Sequence, residues 1–185
     1  LGLTQLGREE AAQHGVRINT DAIDNSAGVD CSDHEVNIKI LLDRIVAAGD
    51  LTGKQRNQLL AEMTDDVGRM VLRDNYEQNV LLGNARKQSH GMLGVHQRFM
   101  RSLETRGLLN RELEFLPDDA ALAVRADSGE GLTSPEFSVL VAYAKITLTE
   151  DLMASDLLDD PWFEGTLRDY FPGQLVSRYA ANLAD

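Results

Sequence analysis

Helix start and stop signals recur along the whole chain, while strand signals are almost missing. Ser32-Asp33-His34-Glu35 has the spacing of a capping box, in which a hydroxyl and a carboxylate satisfy the orphan N–H groups of a helix start. Behind it Ile38, Leu41, Leu42, Ile45 and Val46 repeat at helical spacing, and Gly49 marks the stop. Thr52 to Gln55 repeats the box ahead of Leu59, Leu60 and Met63. Thr64, Asp65 and Asp66 put negative charge at the positive end of a further helix, with Val67, Met70, Val71, Val80 and Leu81 as its buried face. A helix near Gly91 carries Met92, Val95, Phe99, Met100 and Leu103 on one side, Arg98, Arg101 and Arg106 on the other, and ends at Gly107. Asp118 and Asp119 start a short helix through Val124, before a loop bracketed by Gly129 and Gly131. Thr133-Ser134-Pro135-Glu136 is a strong start signal. The helix behind it is apolar almost all round (Phe137, Val139, Leu140, Val141, Ala144, Ile146, Leu148), as helices in the middle of a bundle are. Asp160-Pro161 and Pro172-Gly173 open two more, the last running through Tyr179 to Leu183. Against all this only Val16, Ile18 and Thr20 alternate as a strand does. The expected class is all-α, a helical array with at most one short strand near the N-terminus.

The chain divides into two parts. Residues 1–48 hold the mixed loop, strand and helix segment, and residues 49–185 the helical array. The length of 185 residues suits one domain, or one domain and a fragment of another. Leu1 is not an initiator methionine and the Leu1 to Leu6 pattern starts abruptly, so the chain reads as a piece of something longer. The net charge of −12 argues against nucleic acid and anionic membranes as partners. Residues 116–160 hold ten acids against Arg125 and Lys145, a solvated surface or, more sharply read, a docking face for a basic partner. No apolar run approaches the ~20 residues of a membrane span, and one cysteine, Cys31, excludes an internal disulfide and a Cys-built zinc site. A reducing, cytoplasmic setting is the default.

The stretch from Ile18 to Lys39 carries most of the chemistry. Small residues at Ser26, Ala27 and Gly28 let a ligand approach the backbone, and a helix start attracts anions. The same residues also make an ordinary turn, with Ser32 as a mere cap. Other clusters carry less. His34 lies among Asp30, Asp33 and Glu35, but adjacent helical residues diverge and do not converge on one ion. Cys31 reads as a buried or half-buried thiol rather than a nucleophile, and Trp162, Phe163, Tyr170 and Phe171 as a core cluster. His90 and His96 read as surface or half-buried groups, and the arginines between 86 and 111 are outnumbered by acids.

Asp24-Asn-Ser-Ala-Gly-Val-Asp-Cys-Ser-Asp-His-Glu-Val-Asn-Ile-Lys resembles the signature of the large bacterial NAD-specific glutamate dehydrogenases. The resemblance extends back through Leu1-Gly-Leu-Thr-Gln-Leu-Gly-Arg, and forward through Leu51-Thr-Gly-Lys-Gln-Arg-Asn and Met63-Thr-Asp-Asp-Val to Val71-Leu-Arg-Asp-Asn-Tyr. It is specific over the first 80 residues and weaker beyond. The wider family has an Asn-Ala-Gly-Gly-Val element followed by a serine; here it reads Asn25-Ser26-Ala27-Gly28-Val29, with Ser32 as the serine. The resemblance implies Asn25 and Gly28 at the nicotinamide-ribose end of NAD, and Ser32 on the side-chain carboxylate of glutamate. Ser26-Ala27 replaces one glycine of the pattern.

The family's catalytic lysine and aspartate belong to motifs that do not occur here, and neither does a G-x-G-x-x-G turn. No catalytic residue and no metal ligand is therefore assigned. The expectation is the tail of a catalytic region plus the start of a C-terminal helical domain. Such a piece is inactive and binds no NAD alone; it packs on the rest of its own polypeptide or another subunit of a homo-oligomer. The alternative is a non-catalytic helical interaction module in which the Asn25 to Ser32 segment is only structural.

Overall fold

A computed structural model describes residues 2–183. Leu1, where the resemblance and the opening pattern begin, lies outside the described residues, as do the last two positions of the 49–185 part. Ten α-helices follow one another among the described residues, with no strand: α1 (Gln5–Gln13), α2 (Asp21–Asp24), α3 (Ser26–Ala48), α4 (Gly53–Glu62), α5 (Thr64–Lys87), α6 (Leu93–Thr105), α7 (Asp119–Ser128), α8 (Ser134–Met153), α9 (Glu164–Tyr170) and α10 (Gly173–Tyr179). Short 3₁₀ turns at Leu157–Asp159, Pro161–Phe163 and Ala180–Asn182 link or follow the last three.

Two compact units share these helices, and each is built from two separated stretches of chain. One comprises residues 1–25 and 77–151, the other 26–76 and 152–185. The first unit buries Ile23, Leu82, Leu93, Met100, Leu103, Leu122, Phe137 and Leu140 in one cluster. The second packs Ile38, Leu41, Leu42 and Ile45 of α3 on Leu59, Met63 and Leu175, with Phe171 and Tyr179 at the edge. Both cores are thus closed by residues distant in sequence.

Several local starts follow their sequence signals. Thr52 and Gln55 form a complete capping box at α4, and Asp118 caps α7 by accepting from Ala121 N–H at 2.7 Å. Gly49, Gly107 and Gly129 end helices at positive φ. A Cβ at Gly131 would collide with the backbone of Ser89, so this loop lies where only glycine fits.

Other local readings are corrected. Val16 to Thr20 forms no strand: three alternating residues have no neighbouring segment to pair with, and Thr20 instead caps α2 through Ile23 N–H. Val80 and Leu81 are exposed, and Leu82 takes the buried place. Leu82 lies eleven residues after Val71, three full turns, so it continues the stripe that Val71 begins. α8 is buried all round only over its first turns: further on Ile146 and Leu148 are exposed and Thr147 between them is buried. Trp162 is 76% exposed and only Phe171 of the four aromatics joins a core.

The start of α8 is the polar centre of the first unit. Thr133 N–H donates to Glu136 Oε2 at 2.7 Å while Glu136 N–H donates back to the Thr133 hydroxyl at 3.4 Å. Glu136 is 1% exposed, and the Arg125 guanidinium of α7 donates to both of its oxygens at 2.6 and 2.8 Å. One of the ten acids of residues 116–160 is thus an internal anchor and not solvated surface. The Thr133 hydroxyl in turn donates to Glu9 of α1 at 2.7 Å.

Burial pushes the Glu9 carboxyl from an ordinary 4.5 up to about 7, opposed by the Thr133 hydrogen bond and reinforced by the charge of Glu136. The folded chain holds a proton on Glu9 that the unfolded chain releases. This contribution to stability is therefore fully present below about pH 4.5 and is lost as pH rises through about 7. At roughly 1.4 kcal/mol per unit the effect is of order 3 kcal/mol. Glu9→Gln keeps an oxygen for Thr133 and removes the titration. It should melt about 5 °C above the parent chain at pH 8 and alongside it at pH 5. Melts followed by circular dichroism at the two pH values check this, and an equal difference at both would exclude Glu9 as the source.

Candidate functional site

The segment from Asn25 to Ser32 is reached through α1. Arg8 is 4% exposed, and its guanidinium donates to Asn19 C=O at 2.7 Å, Asp24 Oδ2 at 2.6 Å and Asp21 Oδ1 at 2.5 Å. One side chain therefore fixes the loop before α2 and both acids of that short helix. Asn25 closes α2 at φ −117° and ψ 15°, with its side chain exposed.

α3 begins at once with Ser26, six residues ahead of the start that the Ser32 to Glu35 spacing predicts. Ser32 is therefore no cap: it sits inside the helix, exposed, and its hydroxyl donates back to Gly28 C=O at 3.1 Å. Glu35 does not reach back either, but pairs with Lys39 one turn on. The Ser26 hydroxyl donates to Asn75 Oδ1 of α5, and Asn75 Nδ2 donates to Val71 C=O at 2.8 Å. That fastens the first turn of α3 to α5, so the helix needs no cap at Ser32.

Ser32 and Gly28 are thus joined by a hydrogen bond on one exposed helix surface, whereas Asn25 belongs to the other compact unit. Cys31 beside them is exposed, not buried. Asn25, Gly28 and Ser32 are all exposed.

The sequence reading sets aside His34 with Asp30, Asp33 and Glu35 because neighbouring residues diverge; the structure brings His34 and Asp30 together with a residue of α5 on the opposite side of α3. His34 is 1% exposed and faces Asp30, one turn earlier, and Asp74 of α5. The i, i+4 spacing of Asp30 and His34 was visible; Asp74, forty residues on, carried no signal. A cavity of about 550 Å³ in the same unit is lined by Arg69, Arg73, Phe171, Arg168 and Asp169. Its arginines are already paired, Arg69 with Asp66, Arg73 with Asp74 and Arg168 with Glu164. In the first unit Arg101 and Arg111 are likewise taken up by Asp119 and Glu104. His96 is half-buried and burial pulls its pKa below the usual range.

The family model for the catalytic domain of bacterial NAD-glutamate dehydrogenase matches residues 1–85. The model for the glutamate dehydrogenase C-terminal region matches residues 129–185. Over 179 residues the chain is 55% identical to the NAD-specific glutamate dehydrogenase of Halomonas elongata, and 50% identical to that of Pseudomonas aeruginosa. Over 183 residues it is 48% identical to the enzyme of Mycobacterium tuberculosis. These alignments cover 97–99% of the chain but 11% of each relative's length.

Arg8 should control the order of the Asn25 segment. Replacing it with Met removes hydrogen bonds to charged groups worth roughly 1.5–3 kcal/mol each before the freed aspartates are hydrated. Arg8→Met should cost about 2 kcal/mol of stability and speed amide exchange across residues 20–25. Arg8→Lys, a point charge in place of a fork, should restore only part of it. Hydrogen exchange resolved by mass spectrometry reads this, and unchanged protection at residues 20–25 would break the link.

Proposed function

We propose that the chain is a segment of a bacterial NAD-specific glutamate dehydrogenase, spanning the end of the catalytic region and part of the C-terminal helical region. Residues 1–48 contribute the terminal piece of the catalytic region, and residues 49–185 the beginning of the helical domain. The observation that carries the segment reading is the succession of catalytic and C-terminal family matches along one chain, the catalytic match running to residue 85, past the boundary proposed at 48.

The parent enzyme oxidises L-glutamate with NAD and water to 2-oxoglutarate and ammonium. NAD, when bound, accepts the hydride from the glutamate α-carbon. Asn25 and Gly28 sit at the nicotinamide-ribose end of that cofactor, and the Ser32 hydroxyl donates to the glutamate side-chain carboxylate. No catalytic acid or base lies in this segment, which works packed against the rest of its polypeptide within a homo-oligomer in the cytoplasm. No helix of the described residues is long and apolar enough to cross a membrane.

The position of Ser32 inside α3 makes a clean test available. An exposed serine in mid-helix gives way to alanine with a stability change within about 0.5 kcal/mol. A hydroxyl donating to a charged carboxylate is worth roughly 1.5–3 kcal/mol. In the full-length enzyme Ser32→Ala should therefore lower kcat/KM for glutamate about ten- to a hundredfold while the melting temperature and the KM for NAD stay put. Steady-state kinetics beside a thermal melt reads both, and an unchanged kcat/KM would remove Ser32 from the substrate site. Calorimetric titration of the 185-residue chain with NAD should show no heat of binding; micromolar affinity would overturn the assignment of the main cofactor contacts to the rest of the enzyme.

A further inference from the structure

We propose that Asp30, His34 and Asp74 form a site for one divalent transition-metal ion of the zinc type, clipping α3 to α5. The three side chains each bring one ligand atom to a common point, and these atoms lie within 4.8 Å of one another. His34 Nε2 is 3.8 Å from Asp30 Oδ1 and 3.8 Å from Asp74 Oδ2. Tetrahedral ligands on zinc bonds of about 2.0–2.1 Å sit roughly 3.4 Å apart. The observed separations match an edge of such a polyhedron after a small rotation of the carboxylates.

The decisive group is the imidazole. His34 is 1% exposed, and neither of its ring nitrogens has a hydrogen-bond partner. A buried ring nitrogen left without a partner is costly, and a ligand that takes its lone pair removes that cost. At 3.8 Å from each carboxylate oxygen the imidazole nitrogen is outside hydrogen-bond reach and at a separation that two ligands of one ion can span. One imidazole nitrogen with two carboxylate oxygens is a donor set that zinc accepts.

The surroundings orient the ligands. Tyr170 stacks on the imidazole with ring centroids 4.7 Å apart and planes 21° from parallel, and its hydroxyl accepts from Asn37 Nδ2 at 2.7 Å. Arg73 Nε holds the other oxygen of Asp74 at 3.1 Å, turning Oδ2 toward His34. Such outer contacts fix metal ligands in place. Asp30 and Asp74 are partly open to solvent, which gives the ion a way in and leaves room for water as a further ligand. The ion would tie the first turns of α3 to α5, two residues from Ser32.

The test uses the full-length polypeptide that carries this chain, stripped with a chelator and then equilibrated with zinc chloride. Elemental analysis should find one more zinc per polypeptide in the parent than in Asp74→Asn or Asp30→Asn, with that zinc's affinity lowered at least tenfold in each variant. Zinc should raise the melting temperature of the parent and not that of the variants. His34→Gln should behave likewise; if it fails to fold, the two Asn variants, isosteric and at partly exposed positions, carry the test. Equal zinc content and equal zinc-induced stabilisation in the parent and both Asn variants would overturn the proposal.

Discussion

Glu136 is the charge around which the first unit is assembled. A carboxylate with 1% of its surface exposed is costly to ionise unless a cation and several donors lie against it. Arg125 supplies the cation with a two-pronged fork, and the Thr133 amide supplies a further donor. To meet these partners the end of α7 must turn back on the start of α8 within a few residues. Gly129 at positive φ and Gly131 against Ser89 make that turn possible. Glu9, brought to the same knot by the Thr133 hydroxyl, then draws α1 into the unit, and Arg8, its neighbour, ties down the loop and helix that follow. A chain of polar contacts thus runs from α8 to the residue before Asn25.

The second unit uses burial differently. Its core is an apolar stripe along α3, Ile38, Leu41, Leu42 and Ile45, closed by Leu59, Met63 and Leu175. The stripe runs backward through His34 toward Asp30, so polar groups occupy the positions that hydrophobic ones hold further on. That one helix therefore carries three different surfaces: an apolar seam, a buried imidazole between two carboxylates, and an exposed line through Gly28 and Ser32. They face different ways because successive residues turn by 100°.

Much of this was legible in the residues themselves. The helical class, the capping boxes at Thr52 and Thr133, the cap at Asp118 and the stops at Gly49, Gly107 and Gly129 all rest on interactions within a few residues of each other. The Asn25 to Lys39 signature was legible for a different reason: it is a linear pattern, and linear patterns survive without coordinates. The errors lie where local signals compete. Ser32 and Glu35 have the spacing of a cap, but Ser26 bonded to Asn75 already secures an earlier start, and helix propagation then runs through the apparent cap.

What the sequence by itself determined is the run of helices from α3 onward, because caps, stops and apolar periodicity act over three or four residues; α1 and α2 rest instead on contacts of Arg8 and Glu9 with residues eleven or more positions away. The family signature was legible as well, because it is a pattern of residue types in order. Only the tertiary structure decided which helices share a core, with residues 1–25 joining 77–151 and residues 26–76 joining 152–185. It alone turned Glu136 from a surface acid into an internal anchor, and it alone set Asp74 beside His34. Those pairings depend on contacts between residues forty or more apart in the chain, or on which face of a helix is taken out of water. Hydrophobic burial is non-directional and leaves no mark in local spacing that says which stripe will meet which.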